Sequence, residues 1–368
     1  VPWKDSVVKP VFYHCISRVV DRNLVFGPLE KEKFRTLLRM QENFTGCRVA
    51  AYCLMSNHIH LLLEVPPMPS SMRHGFPDDE LLLRLRGIYN EAQVAEVAAE
   101  LADARRHVAA GMADEAVVVA RIHQRYTYRM HDLSEFMKTL MQRFTQWFNR
   151  THERSGNLWE DAFKSVIIED GSAARTIAGY IDLNPVRAGI VKDPAEYRWS
   201  SYGEAIGGGA RGNGKKARAG LVRALQAHNG IEADASLWPH RVSLEYRKIL
   251  MVGAIEKKCE SIGKDGKPVE KILRRGIAGR KSAKDSKDFN SPPEENGEDI
   301  PLAAMLRHRI RYFTDGVVIG SRNFVNETFS GARQSFGKNR KDGARKLRGP
   351  GKPVAGLLWS LRDLQKGV

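Results

Sequence analysis

Cysteine is scarce: four thiols (Cys15, Cys47, Cys53, Cys259) are spread over 368 residues with no CxxC spacing. That excludes a disulfide-built scaffold and a zinc ribbon, and it fits a reducing, cytoplasmic compartment. No uninterrupted apolar run approaches the roughly 18 residues that a membrane-spanning helix needs, so no membrane partner is expected. The opening Val1-Pro2-Trp3-Lys4-Asp5 lacks a charged-then-apolar signal pattern, which argues against secretion. Acidic residues are too few to balance the basic ones: 59 Lys and Arg stand against 43 Asp and Glu, a net charge of +16. Such a surplus exceeds what solubility requires and points to a polyanionic partner. Hydrophobic residues still make up 42% of the chain, enough for packed cores and against wholesale disorder.

The charge is unevenly placed. Residues 1–206 carry 26 Lys and Arg against 26 Asp and Glu, whereas residues 207–368 carry 33 against 17. The stretch 207–220 is rich in glycine and basic residues, with few side chains to pack, and reads as a flexible basic linker. Within it, Gly209 to Lys215 matches GxxxxGK, but Lys216 stands where a phosphate-binding loop needs Ser or Thr. No apolar strand leads into it either, so a nucleotide site is set aside. The expected organisation is a catalytic domain over 1–206, the linker, and a basic, partly disordered, mainly helical region over 221–368.

Period-two patterning predicts strands over 12–20, 48–55 and 59–65, the last two joined by a Ser56-Asn57 turn and stopped by Pro66, Pro67 and Pro69. Helical spacing predicts helices over 28–44, 133–149 and 173–183, the last closed by Asn184-Pro185. A further strand is expected over 158–168, and an Ala- and Glu-rich helical insertion over about 68–132. This order gives an α+β fold with an antiparallel sheet. Beyond the linker, helices are expected over 221–229 and 244–258, disorder over 264–298, and a helix-turn-helix over about 302–329. A solvated basic arm is expected over 338–352.

Two constellations carry chemistry. His58-Ile59-His60 opens an apolar strand, so both imidazoles point to one face and lie close enough to share a metal ion. Two partly exposed histidines at a strand edge are the plain alternative. Tyr180 and Asn184 stand at i and i+4 on one helix face. An amide oxygen from Asn184 would complete a three-ligand site suited to a divalent ion such as Mg²⁺ or Mn²⁺, with Mn²⁺ the better match for imidazole. A metal beside Tyr180 would help a phenol with an ordinary pKa near ~10 act as a nucleophile; otherwise Tyr180 simply packs on the sheet. His14 lies near this site if the first and third strands pair, with a structural role as the alternative. Arg187, just past the tyrosine helix, reads as a phosphate contact or as a solvated arginine.

Several islands in fixed order resemble the REP-associated tyrosine transposases of the single-tyrosine HUH superfamily. They are Tyr13-His14 with Ser17-Arg18; Leu54 through Leu63; Phe148-Asn149; Gly156-Asn157-Leu158-Trp159-Glu160; Phe163-Lys164-Ser165; Tyr180-Ile181; Asn184 through Gly189; and Tyr197 through Ser201. They cover most of 11–202 apart from 68–132. The resemblance implies a ferredoxin-like antiparallel sheet with flanking helices, the HUH endonuclease core. It implies a bacterial, nucleoid-associated enzyme that cleaves and rejoins single-stranded or hairpin DNA at hairpin-forming repeats. Tyr180 would be the nucleophile, forming a 5′-phosphotyrosine, and His58, His60 and Asn184 the ligands of a divalent metal. Arg18, Lys164 and Arg187 are the candidate DNA contacts, Lys164 replacing an arginine that relatives often carry where this chain has Ala162. Two other readings of the same residues are a non-catalytic nucleic-acid-binding regulator and a metal-dependent phosphodiesterase that uses water. Monomer and homodimer are both open.

Overall fold

A computed structural model describes residues 9–69, 76–209, 211–226, 235–238, 242–253, 257–262, 268–274, 306, 313–314, 316–346 and 358–362. The chain first lays down β1 (Val11–Arg18), α1 (Pro28–Thr45), β2 (Arg48–Leu54) and β3 (His58–Val65). Helices α2 (Asp78–Leu85), α3 (Glu91–Ala109) and α4 (Glu115–Thr127) precede α5 (Leu133–Thr151), β4 (Lys164–Ile168), α6 (Ser172–Asp182), α7 (Asn184–Arg187) and α8 (Ser201–Gly207). Beyond them come α9 (Asn213–Gln226), α10 (Ser243–Gly253), β5 (Lys257–Ile262), β6 (Pro268–Arg274), β7 (Val318–Gly320), α11 (Arg322–Gly331), β8 (Arg345–Lys346) and β9 (Trp359–Leu361).

The fold is α+β. One seven-stranded sheet runs β2-β3-β1-β4-β7-β9-β8, antiparallel throughout except for the parallel β4–β7 pair. Its first four strands, with α5 ahead of β4, have the strand order of a ferredoxin-like sheet. Strand alternation sorts the core into two layers. Tyr13, Cys15, Ile59, Leu61 and Leu63 meet Phe34 and Leu38 of α1 and Phe136, Leu140 and Phe144 of α5. On the other face, Phe12, Leu62, Val166 and Ile168 meet Ala174, Ile177, Ala178 and Ile181 of α6. Helix α5 forms where the spacing predicts, and Asp132 caps it by accepting the Glu135 N–H. Among the described residues, the insertion holds three helices with a cluster of their own around Leu85, Val94, Leu101 and Ile122, joined to α1 through Phe44.

Several expectations are corrected. The expected linker 207–220 is largely helical: α9 begins within it and buries Ala217, Leu221, Val222 and Leu225 against the α6 face of the sheet. Three of its glycines, Gly208, Gly214 and Gly220, stand where a Cβ would meet backbone within 2.5 Å. A Cβ at Gly220 would lie 2.3 Å from the Val49 carbonyl oxygen, where β2 shifts register. Arg223 of the same helix pairs at 2.6 Å with buried Glu64 of β3, which Arg48 also binds at 2.6 Å. The region after 220 is less purely helical than expected, because β7, β8 and β9 extend the main sheet and β5–β6 form a hairpin. Strand β6 falls inside the expected disordered stretch, and β5 overlaps the end of the helix expected over 244–258.

The second half of the expected helix-turn-helix is strand β7 followed by α11. That helix packs Val325 and Phe329 into the main core, so its apolar face serves the sheet rather than a DNA groove. The first half, 302–313, lies outside the described residues except Leu306 and Phe313. Part of the expected solvated arm is β8, paired with β9. The expected strand 158–168 is β4 alone, preceded by an isolated bridge between Val19 and Trp159.

Candidate active site

Helix α6 is able to lie close on the sheet because it is built from small residues: Ala173, Ala174, Ala178 and Gly179 are all buried. Gly179 lies on the side of the helix that faces Leu306 and Ile249, where an added Cβ would make ordinary contacts at 3.4 and 3.6 Å. The close approach brings Tyr180 over the strand face that carries the histidines. In the β1–β3 pair, Ile16 stands opposite His60 and Arg18 opposite His58, so the HxH strand is held in register by β1. The ring centroids of His58 and His60 are 5.0 Å apart, and those of His60 and Tyr180 are 5.7 Å apart. His14 joins them from β1, its ring stacked at 5.3 Å on His60 and edge-on at 5.9 Å to Tyr180.

Hydrogen bonds fix the rings. His14 Nε2 lies 3.1 Å from His60 Nδ1, and His14 Nδ1 lies 2.9 Å from the Phe313 carbonyl oxygen. His58 Nδ1 lies 2.7 Å from Asn57 Oδ1. Burial favours the neutral ring in all three. His14 and His58 are each lowered to about 4, His58 also by the charge of Arg18, and His60 is pushed well below the usual value by burial and its cationic neighbours. Neutral imidazole is the metal-binding form. Asn184 donates its amide N–H groups to the carbonyls of Tyr180 and Ile181, each at 3.2 Å. Among the described residues no three His, Cys, Asp or Glu side chains converge. The two neutral imidazoles of His58 and His60, 5.0 Å apart, are a donor pair that fits Mn²⁺ better than Mg²⁺.

Tyr180 is only 2% exposed. Burial pushes its phenol up to about 12, against the pull of the Arg187 and Arg18 charges and the Asn184 amide. The Arg187 guanidinium lies 4.9 Å above the Tyr180 ring, and it donates to the Tyr180 carbonyl at 3.3 Å and to the Leu306 carbonyl at 3.1 Å. Arg18 and Lys164 line one pocket with Ser17, Glu160, Asp161 and Thr314. Their proximity follows from register, since Lys164 pairs with Ile16 across β1–β4.

Residues 7–73 match the family described as Transposase IS200 like. The matched segment spans β1, α1, β2 and β3, so it contains His14, His58 and His60 and ends before Tyr180 and Asn184. The resemblance read from the sequence is thus met over these strands. No curated protein matches the chain. Among solved structures, a REP-associated tyrosine transposase bound to a REP hairpin is similar, at 12% identity and a TM-score of 0.33, over 56% of this chain and 86% of that one.

Three features of the site were not singled out in the sequence. Phe313 sits 5.1 Å from Tyr180, ring centroid to ring centroid, and supplies the carbonyl that His14 meets. Leu306 supplies the carbonyl for Arg187. Both lie more than a hundred residues downstream, in a segment with no pattern tying it to the tyrosine helix. The third is Asp182, a fully buried carboxyl raised to about 7 by burial. It accepts from the Tyr202 N–H at 2.9 Å and the Tyr246 hydroxyl at 2.6 Å. An acid within the otherwise apolar run Ala178 to Leu183 was the visible signal for it.

Proposed function

We propose that this chain is a metal-dependent DNA endonuclease and strand transferase of the transposase type, acting on single-stranded or hairpin DNA with Tyr180 as nucleophile. The observation that carries the reading is the meeting of HxH strand and tyrosine helix, with His60 and Tyr180 5.7 Å apart, ring centroid to ring centroid, and Asn184 one turn beyond. The family match over β1 to β3 and the basic surplus of the whole chain support a DNA substrate.

His58, His60 and Asn184 would hold the metal. When bound, the ion supplies Lewis acidity, drawing charge from the scissile phosphate. The protein does the rest. Tyr180 Oη attacks phosphorus, the bond to the 3′ oxygen breaks, and a 5′-phosphotyrosine forms. The phenolic proton leaves Oη, and the departing 3′ oxygen gains a proton to become a hydroxyl. Arg187 and Arg18 favour the phenolate, opposing the burial that keeps the proton on. Because the phosphodiester is exchanged rather than hydrolysed, a second 3′-hydroxyl can reverse the step on another strand. Arg18 and Lys164, which line one pocket, would contact a phosphate of the bound strand.

The test is a labelled single-stranded hairpin incubated with Mn²⁺, followed by denaturing electrophoresis for a covalent protein–DNA adduct. The wild-type chain forms it and Tyr180→Phe does not, while Tyr180→Phe still binds DNA. Cleavage that survives Tyr180→Phe would overturn the tyrosine assignment in favour of a water nucleophile. Binding without cleavage under any divalent metal would favour a regulator.

A further inference from the structure

The geometry points to His14 as a positioning residue that sets which nitrogen of His60 faces the metal position; this rests on the metal reading above. A main-chain carbonyl has no proton to give. His14 Nδ1, 2.9 Å from the Phe313 oxygen, must therefore carry the hydrogen. A neutral imidazole has only one N–H, so His14 Nε2 is left as an acceptor. His60 Nδ1, 3.1 Å away, must then donate to it. The lone pair of His60 is thereby assigned to Nε2, the remaining nitrogen. His14 has no exposed surface and is enclosed by His60, Tyr180 and the Phe313 carbonyl, so a charge there would be buried without an acidic partner among these groups, and the ring stays in the neutral state that this relay requires.

His58 reaches the same tautomer by a separate route. Asn57 Nδ2 donates to the Arg22 carbonyl at 3.0 Å, which orients the amide and turns Oδ1 towards His58 Nδ1 at 2.7 Å. Two backbone carbonyls, of Arg22 and Phe313, thus pre-set both imidazoles with Nε2 bare. Metal-ligating histidines commonly have their other nitrogen fixed in this way, and loss of such a partner typically costs 10- to 100-fold in affinity. The Phe313 carbonyl also makes the downstream segment part of the site: one end of the relay lies 299 residues from His14.

Two substitutions separate positioning from packing. In His14→Gln the amide oxygen can accept from His60 and the amide nitrogen can donate to Phe313. In His14→Leu neither bond is available, although the space is filled. Nitrogen NMR of the metal-free, full-length wild type should show His60 protonated at Nδ1 and bare at Nε2, and His14→Leu should mix the two tautomers. Calorimetry should give Mn²⁺ binding roughly 10- to 100-fold weaker in His14→Leu and near wild type in His14→Gln. A wild-type His60 protonated at Nε2 would overturn the inference by itself, even if His14→Leu did not fold. So would a folded His14→Leu that kept both the tautomer and the affinity. Absence of Mn²⁺ binding by the wild type would instead defeat the metal reading, while the tautomer measurement still decided the role of His14.

Discussion

Tyr180 shows how little of a residue's reactivity belongs to the residue. A phenol held at about 12 is almost wholly protonated at neutral pH, and its ionisation depends on the two arginines beside it. Arg187→Met removes the nearer charge, so the phenol should move further up. Adduct formation at fixed pH should slow about tenfold for each unit of that rise, since one unit is one decade in phenolate. Titration of a ¹³C-labelled Tyr180 ring, alongside the adduct assay, checks both. The histidines give a second signature. His14 and His58 titrate near 4 in the folded protein and near 6.5 unfolded, and His60 lies well below its ordinary value. Between those values the unfolded chain binds more protons, so metal-free stability should rise as pH increases from about 4 to 6.5. Asp182, raised to about 7, works in the opposite direction, because the folded state holds its proton between about 3.8 and 7. Three histidines outweigh one acid, and Asp182→Asn should steepen the rise. Urea midpoints in chelator across pH 4.5–7 measure the slope; a flat or falling profile would contradict the buried neutral histidines.

At the scale of elements, helices and strands whose apolar period is complete within the segment were legible. Helix α5 shows Phe136, Leu140, Phe144 and Phe148 on one side, and β3 alternates around His58 and His60, so both appear where expected. The second half of α9 lies within the helix expected over 221–229, but its first half, 213–220, did not announce itself, because glycine and lysine dominate those turns and their stability comes from what they pack on. Gly220 carries that contact. Gly220→Val forces a side chain into the Val49 and Ala50 carbonyls, and should cost ~1–3 kcal/mol or more, as overpacking does. Urea unfolding of the variant reads this directly, and an unchanged midpoint would mean that α9 does not press on β2. Helix α11 was legible as a helix from its Ser321 cap and its Val325–Phe329 spacing. Its partner was not legible: only the sheet extension shows that its apolar face packs on strands.

For the whole molecule, the split at residue 206 suggested a neutral catalytic unit with a detachable basic appendage. The structure joins the two: β7 pairs with β4, α9 covers β2, and Phe313 and Leu306 close over the tyrosine helix. Truncation after residue 206 would strip buried residues such as Leu221, Val222, Val318 and Phe329 from both core layers. The truncated chain should therefore lose cooperative unfolding and aggregate, as seen by calorimetry and gel filtration, rather than bind DNA more weakly as a sound core. A soluble fragment with a sharp thermal transition would restore the two-unit picture.

The sequence by itself determined the α+β order, the HxH strand, the Tyr180–Asn184 helix face and the basic surplus. Each is a local pattern, readable from residues a few positions apart because strand and helix periods place them on one face. Tertiary structure alone decided that His14 lies between His60 and a backbone carbonyl, that Tyr180 is buried beneath Phe313, and that the C-terminal strands complete the sheet. Those facts depend on contacts between residues up to 299 positions apart, which no local period encodes. Burial, hydrogen bonding and the pKa values that follow from them exist only once the layers have closed.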